Sequence, residues 1–222
     1  MPNWVENELR IKKSFLDYIV NSENKVDFGI IAPMPASLNC ESGSNNYISI
    51  YYYLSNKLTI PLNAVSKMSQ AVALLNNQFM SHTDGVKNAH DRLMSDIHMI
   101  KDLDALYEQG KLLVSNYAMY GAETWYEWRI NNWGCKWNAS NTEIYDATDD
   151  ADYAVVIFST PWSAPDKWLE CLSRKGVKAE CTWHEESGYN GIITCDGNGN
   201  ALLTDLPFGY GDDDEDYEDD DD

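Results

Sequence analysis

The chain has 222 residues, 44% of them apolar and 23% charged, which is long enough to bury one sizeable core. Sixteen Lys and Arg against 36 Asp and Glu leave a net charge of −20, which excludes nucleic-acid binding through a Lys/Arg face. Five cysteines (Cys40, Cys135, Cys171, Cys181, Cys195) show no CxxC spacing. They read as reduced cytosolic thiols and not as a disulfide frame or a metal knot.

Trp4 to Ile11 alternates apolar and polar residues and predicts a short strand. Ser14 is the expected N-cap of a following helix with Phe15, Tyr18 and Ile19 on one face. Val26 to Ile31 predicts a second strand, ended by Pro33-Met34-Pro35 because proline lacks the ladder N–H. The stretch YISIYYYL fits a strand or a helix that buries its aromatic side. From Asn63 to Tyr120 the apolar spacing is helical, with Val65, Met68, Val72, Leu75 and Phe79 as one stripe. Leu93, Ile97, Ile100 and Leu103 form another, and Gly85 and Gly110 are expected breaks.

WYEWRINNWGCKWN follows, with four of the chain's eight tryptophans (Trp125, Trp128, Trp133, Trp137) close together. The spacing predicts a helix stopped by Gly134, with Arg129 one turn from Trp125 in cation–π reach. Tryptophan is enriched at binding hot spots, yet a buried one removes about 150–250 Å² from water, so the segment is expected in the core. Beyond it, Glu143–Tyr145 and Tyr153–Ser159 predict strands, and Pro165 opens a helix through Ser173 that Gly176 closes. Ala179–Glu185 and Tyr189–Cys195 predict a hairpin around Glu186-Ser187-Gly188, and Ala201–Thr204 a last strand after the Asp196–Gly199 turn. Strand and helix signals at both ends of a helical middle predict an α+β fold with a split βαβ sheet.

His82, His90 and His98 are eight residues apart, which rotates successive rings by ~80° on a helix and does not build a metal pair. Cys181 and Glu185 share one strand parity and His184 has the other, so zinc is not expected there. No GxSxG, HExxH or Gly-rich phosphate loop occurs, and the chain is read as a non-enzyme without cofactor. The acidic residues are distinctive. Asp146, Asp149, Asp150 and Asp152 cluster in YDATDDADY, and GDDDEDYEDDDD (Gly211 to Asp222) holds ten carboxylates, among them Asp212, Asp213, Asp214, Glu215, Asp216 and Glu218. Such a tail repels itself and is expected to be disordered, and without it the chain still carries −10. These residues are the expected partner-binding surface, with a polyanion competing for a basic groove.

Four stretches align in order with a known family: MPNWVENELRI (Met1 to Ile11), FGIIAPMP (Phe28 to Pro35), TWYEWRINNWGCKWNAS (Thr124 to Ser140) and FSTPWSAP (Phe158 to Pro165). Together they resemble the YubB-type proteins of bacteriophages and conjugative plasmids. That pattern has an "MPNW-x-N" start, an "NWGTKW" motif and an "F-x-T-x-W-x-P-P" entry into a C-terminal ferredoxin-like domain. Cys135 stands where Thr is usual and Ala164 where the first Pro is. The resemblance implies a βαββαβ topology and a mobile-element habitat, and no chemistry. Trp4, Trp125, Trp128, Trp133, Gly134, Trp137 and Trp162 are then the expected structural core motif.

The resulting expectation is a single α+β domain over 1–210, with a largely helical insertion at 36–120, a ferredoxin-like half at 121–210 and a tail at 211–222. Functionally it is an acidic interaction protein of a phage or plasmid in the host bacterial cytoplasm, away from membranes and from direct nucleic acid. Its expected partner is a host defence nuclease or CRISPR effector with a basic nucleic-acid groove, inhibited by DNA mimicry (an anti-CRISPR or anti-restriction role). The alternative is a nucleic-acid or small-ligand binding module using a sheet face with Trp183 and Tyr189.

Overall fold

The computed structural model describes residues 3–43, 46–58, 91, 95 and 99–207. The chain, expected as one domain over 1–210, falls into two compact units: Met1–Pro33 with Arg129–Asp222, and Met34–Trp128. Among the described residues no helix is long and apolar enough to cross a membrane.

The first unit is built on six antiparallel strands: β1 (Trp4–Lys12), β2 (Ser140–Asp146), β3 (Tyr153–Pro161), β4 (Lys178–Glu185), β5 (Asn190–Asp196) and β6 (Ala201–Asp205). Their order is β2-β3-β1-β4-β5-β6. β3 separates β1 from β2, and β1 separates β3 from β4, so both crossovers are split βαβ units. That is the expected ferredoxin-like arrangement, extended by the β5–β6 meander.

Period-two patterning decides which face is covered. Val5, Asn7, Leu9 and Ile11 are buried on β1, and register sets them against Thr160, Phe158, Val156 and Ala154. The helix Asp166–Arg174 buries Trp168, Leu169 and Leu172. Phe28 lies 4.6 Å from the Trp168 ring and 6.0 Å from Phe158. Each large side chain fully buried here contributes about 1.5–3 kcal/mol. Asn7, wholly buried, donates through Nδ2 to Phe158 O, Val5 O and Thr160 Oγ1.

Two expectations fail at the start of this unit. Val26–Ile31 is not a strand: Val26 makes one isolated bridge to Val20, and Phe28–Ile30 is a 3-10 turn. Asp27 captures the N–H of Gly29 with its own side chain, a local bond that competes with a ladder. Ser14 caps no helix; it lies inside a 3-10 helix, Lys13–Tyr18, that starts from Lys12.

In the second unit α1 (Asn46–Leu58) packs on α2 (Leu103–Tyr120). YISIYYYL is therefore helical, burying Tyr47, Ile48, Ile50, Tyr51, Tyr53 and Leu54 with Leu113. Gly110 does not break α2. It is buried where the helices meet, and a Cβ there would lie 2.0 Å from Ser49 O. Asp102 caps α2 by accepting from Ala105 N, and Gly121 ends it at φ +69°. Of the second expected stripe, Ile100 packs on this core while Leu103 is exposed. The first stripe, Leu93, Ile97, Gly85, His82, His90 and His98 lie outside the described residues.

The tryptophan helix, α3, runs Trp125–Trp133, and the division between units falls after Trp128. Thr124 and Glu127 form a capping box at its start. Glu127 Oε2 accepts from Thr124 N and Oγ1, and Thr124 Oγ1 accepts from Tyr126 N. Gly134 stops it at φ +83°. Trp128 and Trp133 are 7% and 4% exposed, and Trp133 Nε1 donates to Ala32 O. Arg129 lies over Trp133, 5.0 Å from its ring centre. Trp4 and Trp125 are half-buried. Two expected core members are not core: Trp137 is 39% exposed and Trp162 is 55% exposed. Trp137 lies three residues past the left-handed Gly134, and Trp162, just past the end of β3, is itself left-handed at φ +72°.

The last helix, α4, is Asp166–Arg174, one residue later than expected because Pro165 takes the cap position.

Candidate functional site

The acidic cluster between β2 and β3 is only partly free. Arg10 on β1 grips Asp149 with its two terminal guanidinium nitrogens, at 2.7 and 3.0 Å. That bond holds the Asp149 carboxyl below its ordinary range and pushes Arg10 up. Lys13 reaches Asp146 at 2.7 Å. Asp150 folds its own loop by accepting from Asp152 N. Asp150 and Asp152 form no ion pair among the described residues. The expected four-carboxylate row is thus two free anions and two paired ones. Asp212, Asp213, Asp214, Glu215, Asp216 and Glu218 lie outside the described residues.

The sheet face opposite α4 follows from the register. Glu6 pairs with Ser159 and His184, Glu8 with Ile157 and Thr182, Arg10 with Val155 and Glu180, and Glu143 with Ile157. This face carries Glu6, Glu8, Glu143 and Glu180 against Arg10, already committed to Asp149, Lys12 and Lys178. Its aromatics are Trp4, Tyr145 and Tyr153, and Arg10 lies 4.7 Å over the Tyr153 ring. Trp183 pairs with Asn7 and so belongs to the other, helix-bearing face. Tyr189 is exposed in the β4–β5 turn. The aromatic platform expected on the open face is therefore not assembled by Trp183.

On the helix-bearing side a cavity of about 300 Å³ is lined by Trp162, Trp183, Leu203, Asp166, Glu185 and Asp205. Two of the sequence stretches that carry the resemblance line its wall, through Val5 and through Trp162 to Ala164, and Gly134 of a third packs behind it. Trp162 sits at φ +72° and donates its N–H to Asn3 O. Thr160 Oγ1 donates to Ser163 O, and Ser163 Oγ donates to Gly134 O. Gly134 is pressed against α4, where a Cβ would lie 2.0 Å from Asp166 Oδ1. Asn3 Nδ2 donates to Glu185 Oε1. No cation pairs with Glu185 or Asp205 among the described residues, and Asp166 has only Lys167 at 3.9 Å. Trp183 Nε1 is buried without an acceptor among the described residues. Sequence reasoning missed this cavity, although strand parity alone puts Trp183 and Glu185 in phase with Cys181 on the covered side.

The remaining titratable groups do not look nucleophilic. Burial pushes Cys135 and Cys195 up to about 12 and raises Cys181 further, so each stays a thiol at neutral pH. Glu123, 5% exposed in the helical unit, is pushed up to about 8 by burial and then by Glu127. Among the described residues no three His, Cys, Asp or Glu converge as metal ligands.

Residues 132–221 match the family model described as the ferredoxin-like domain in Api92-like protein. β1 lies outside that match, so the strand between β3 and β4 is supplied from the other end of the chain. The chain is similar to the crystal structure of a protein api92 from Yersinia pseudotuberculosis, with 12% identity, 94% of this chain and 99% of that chain covered, and a TM-score of 0.39. No curated protein matches it.

Proposed function

We propose that the protein is a non-enzymatic acidic interaction protein of a phage or conjugative plasmid, acting in the bacterial cytoplasm. It binds and inhibits a host nucleic-acid-handling defence protein, of restriction-nuclease or CRISPR-effector type, by occupying that partner's basic groove. The observation that carries the reading is charge: −20 over the chain, with Glu6, Glu8, Glu143 and Glu180 standing on the open sheet face. A surface of this sign draws a basic partner and repels phosphate. Asp150 and Asp152, unpaired beside that face, extend it. Asp146 and Asp149, held by Lys13 and Arg10, contribute less than their number suggests.

The nucleic-acid alternative is less supported, because a stacking platform needs exposed aromatics beside cations. Here Arg10 is already bound to Asp149, and the remaining cations of the face, Lys12 and Lys178, stand among four glutamates.

The test is binding to a purified DNA-binding effector across a salt series, with duplex DNA as competitor. The expected result is binding that weakens steeply with salt and that DNA displaces. Salt-insensitive binding indifferent to DNA would remove the mimicry from the proposal.

A further inference from the structure

We infer that the Trp162–Trp183 cavity is a seat for an arginine side chain presented by a basic partner protein. The inference deepens the reading above and rests on it for the partner's sign.

Size comes first. Cavities for drug-sized ligands run from about 300 to 1,000 Å³, and this one, at about 300 Å³, suits one long side chain and not a nucleic-acid strand. Its chemistry is selective for a cation with a flat face. Two indoles and Leu203 supply apolar wall, and Asp166, Glu185 and Asp205 supply three carboxylates. Trp is the best aromatic partner of a cation, and guanidinium both stacks on indole and forks onto carboxylate. Among the described residues the carboxylates have no counter-ion beyond Lys167 at 3.9 Å from Asp166. The chain's own acidic tail carries the wrong sign to fill the seat.

The backbone sets how one wall is presented. Trp162 is large, 55% exposed and held at φ +72°, a conformation that L side chains rarely adopt. Hydrophobic burial does not explain keeping it there. Bonds from Trp162 N to Asn3 O and from Ser163 Oγ to Gly134 O fix the turn that presents its ring.

The experiment is a titration of the full chain, followed through its indole N–H resonances. The ligands are acetyl-Gly-Arg-Gly-amide, the same peptide with norleucine in place of arginine, and adenosine monophosphate. Saturable shifts of the Trp162 and Trp183 indoles are expected with the arginine peptide alone. Asp205→Asn should weaken that affinity by about fivefold or more, and Trp162→Ala should abolish it, with unchanged circular dichroism because both side chains are exposed. Equal titration by the norleucine peptide, titration by the nucleotide, or no saturable shift with arginine would overturn the assignment. Effector binding separates the two claims. If Trp162→Ala loses neither effector nor peptide, the seat is wrong while the acidic reading stands. If the peptide binds and no basic effector does, the acidic reading fails and the seat remains.

Discussion

Glu123 is the carboxylate whose titration bears most directly on stability. Its folded pKa of about 8 lies above the ordinary 4.5, so between those values the folded chain keeps a proton that the unfolded chain has released. Stability therefore falls as pH rises from about 4.5 to 8 and is level above that. Glu123→Gln should flatten the slope and stabilise the protein above pH 8, by on the order of a few kcal/mol. Chemical denaturation at pH 5, 7 and 9 measures it, and an unchanged slope contradicts it. Asp149 and Asp196, held below their ordinary range by hydrogen bonds led by Arg10 and by Asn200, work in the opposite sense and only in acid. Two glycines make a second residue-scale test. Both Gly121 and Gly134 have left-handed φ, but a Cβ on Gly121 meets open space while one on Gly134 meets Asp166. Gly121→Ala should cost about 1–2 kcal/mol, the backbone term alone, and Gly134→Ala clearly more in urea melts. Equal losses would show that the Asp166 contact is easily relieved. The stop at Gly134 was legible because a glycine after a helical run is a strong signal. The exposure of Trp162 was not, because nothing local announces a positive φ at tryptophan.

The elements were readable where one period dominated. Alternation set β1, a buried apolar run set β3, and a hairpin turn set β4 and β5, each within a residue or two. Val26–Ile31 failed because a short apolar run has no period of its own, and the Asp27 side chain settled it as a turn. Gly110 failed for the opposite reason: read along the chain it is a helix breaker, and only the facing helix shows that it is the place of closest approach. Alanine in an exposed helix would gain about 1 kcal/mol over glycine. Gly110→Ala should instead destabilise by about 1–3 kcal/mol, because its Cβ would lie 2.0 Å from Ser49 O and 2.7 Å from Tyr53 Cβ. A rise in thermal midpoint would mean that the helices do not meet there.

Across the whole molecule, composition carried the functional reading further than any motif. A charge of −20 is visible in the sequence, but its pairing is not: Arg10 and Asp149 are 139 residues apart and meet only when the sheet forms. The cavity was illegible for the same reason, since Val5, Trp162, Trp183 and Asp205 come from separate strands and their ends. Truncation after Tyr210 leaves −10, and should weaken effector binding and shallow its salt dependence without abolishing it. The most direct measurement is a three-way competition among this protein, a purified basic DNA-binding effector and labelled duplex DNA at low and high salt. The account predicts that the protein displaces DNA from the effector at low salt, that high salt reverses this, and that the protein alone retains no DNA. Retention of DNA by the protein itself, with the effector left undisturbed, would contradict it.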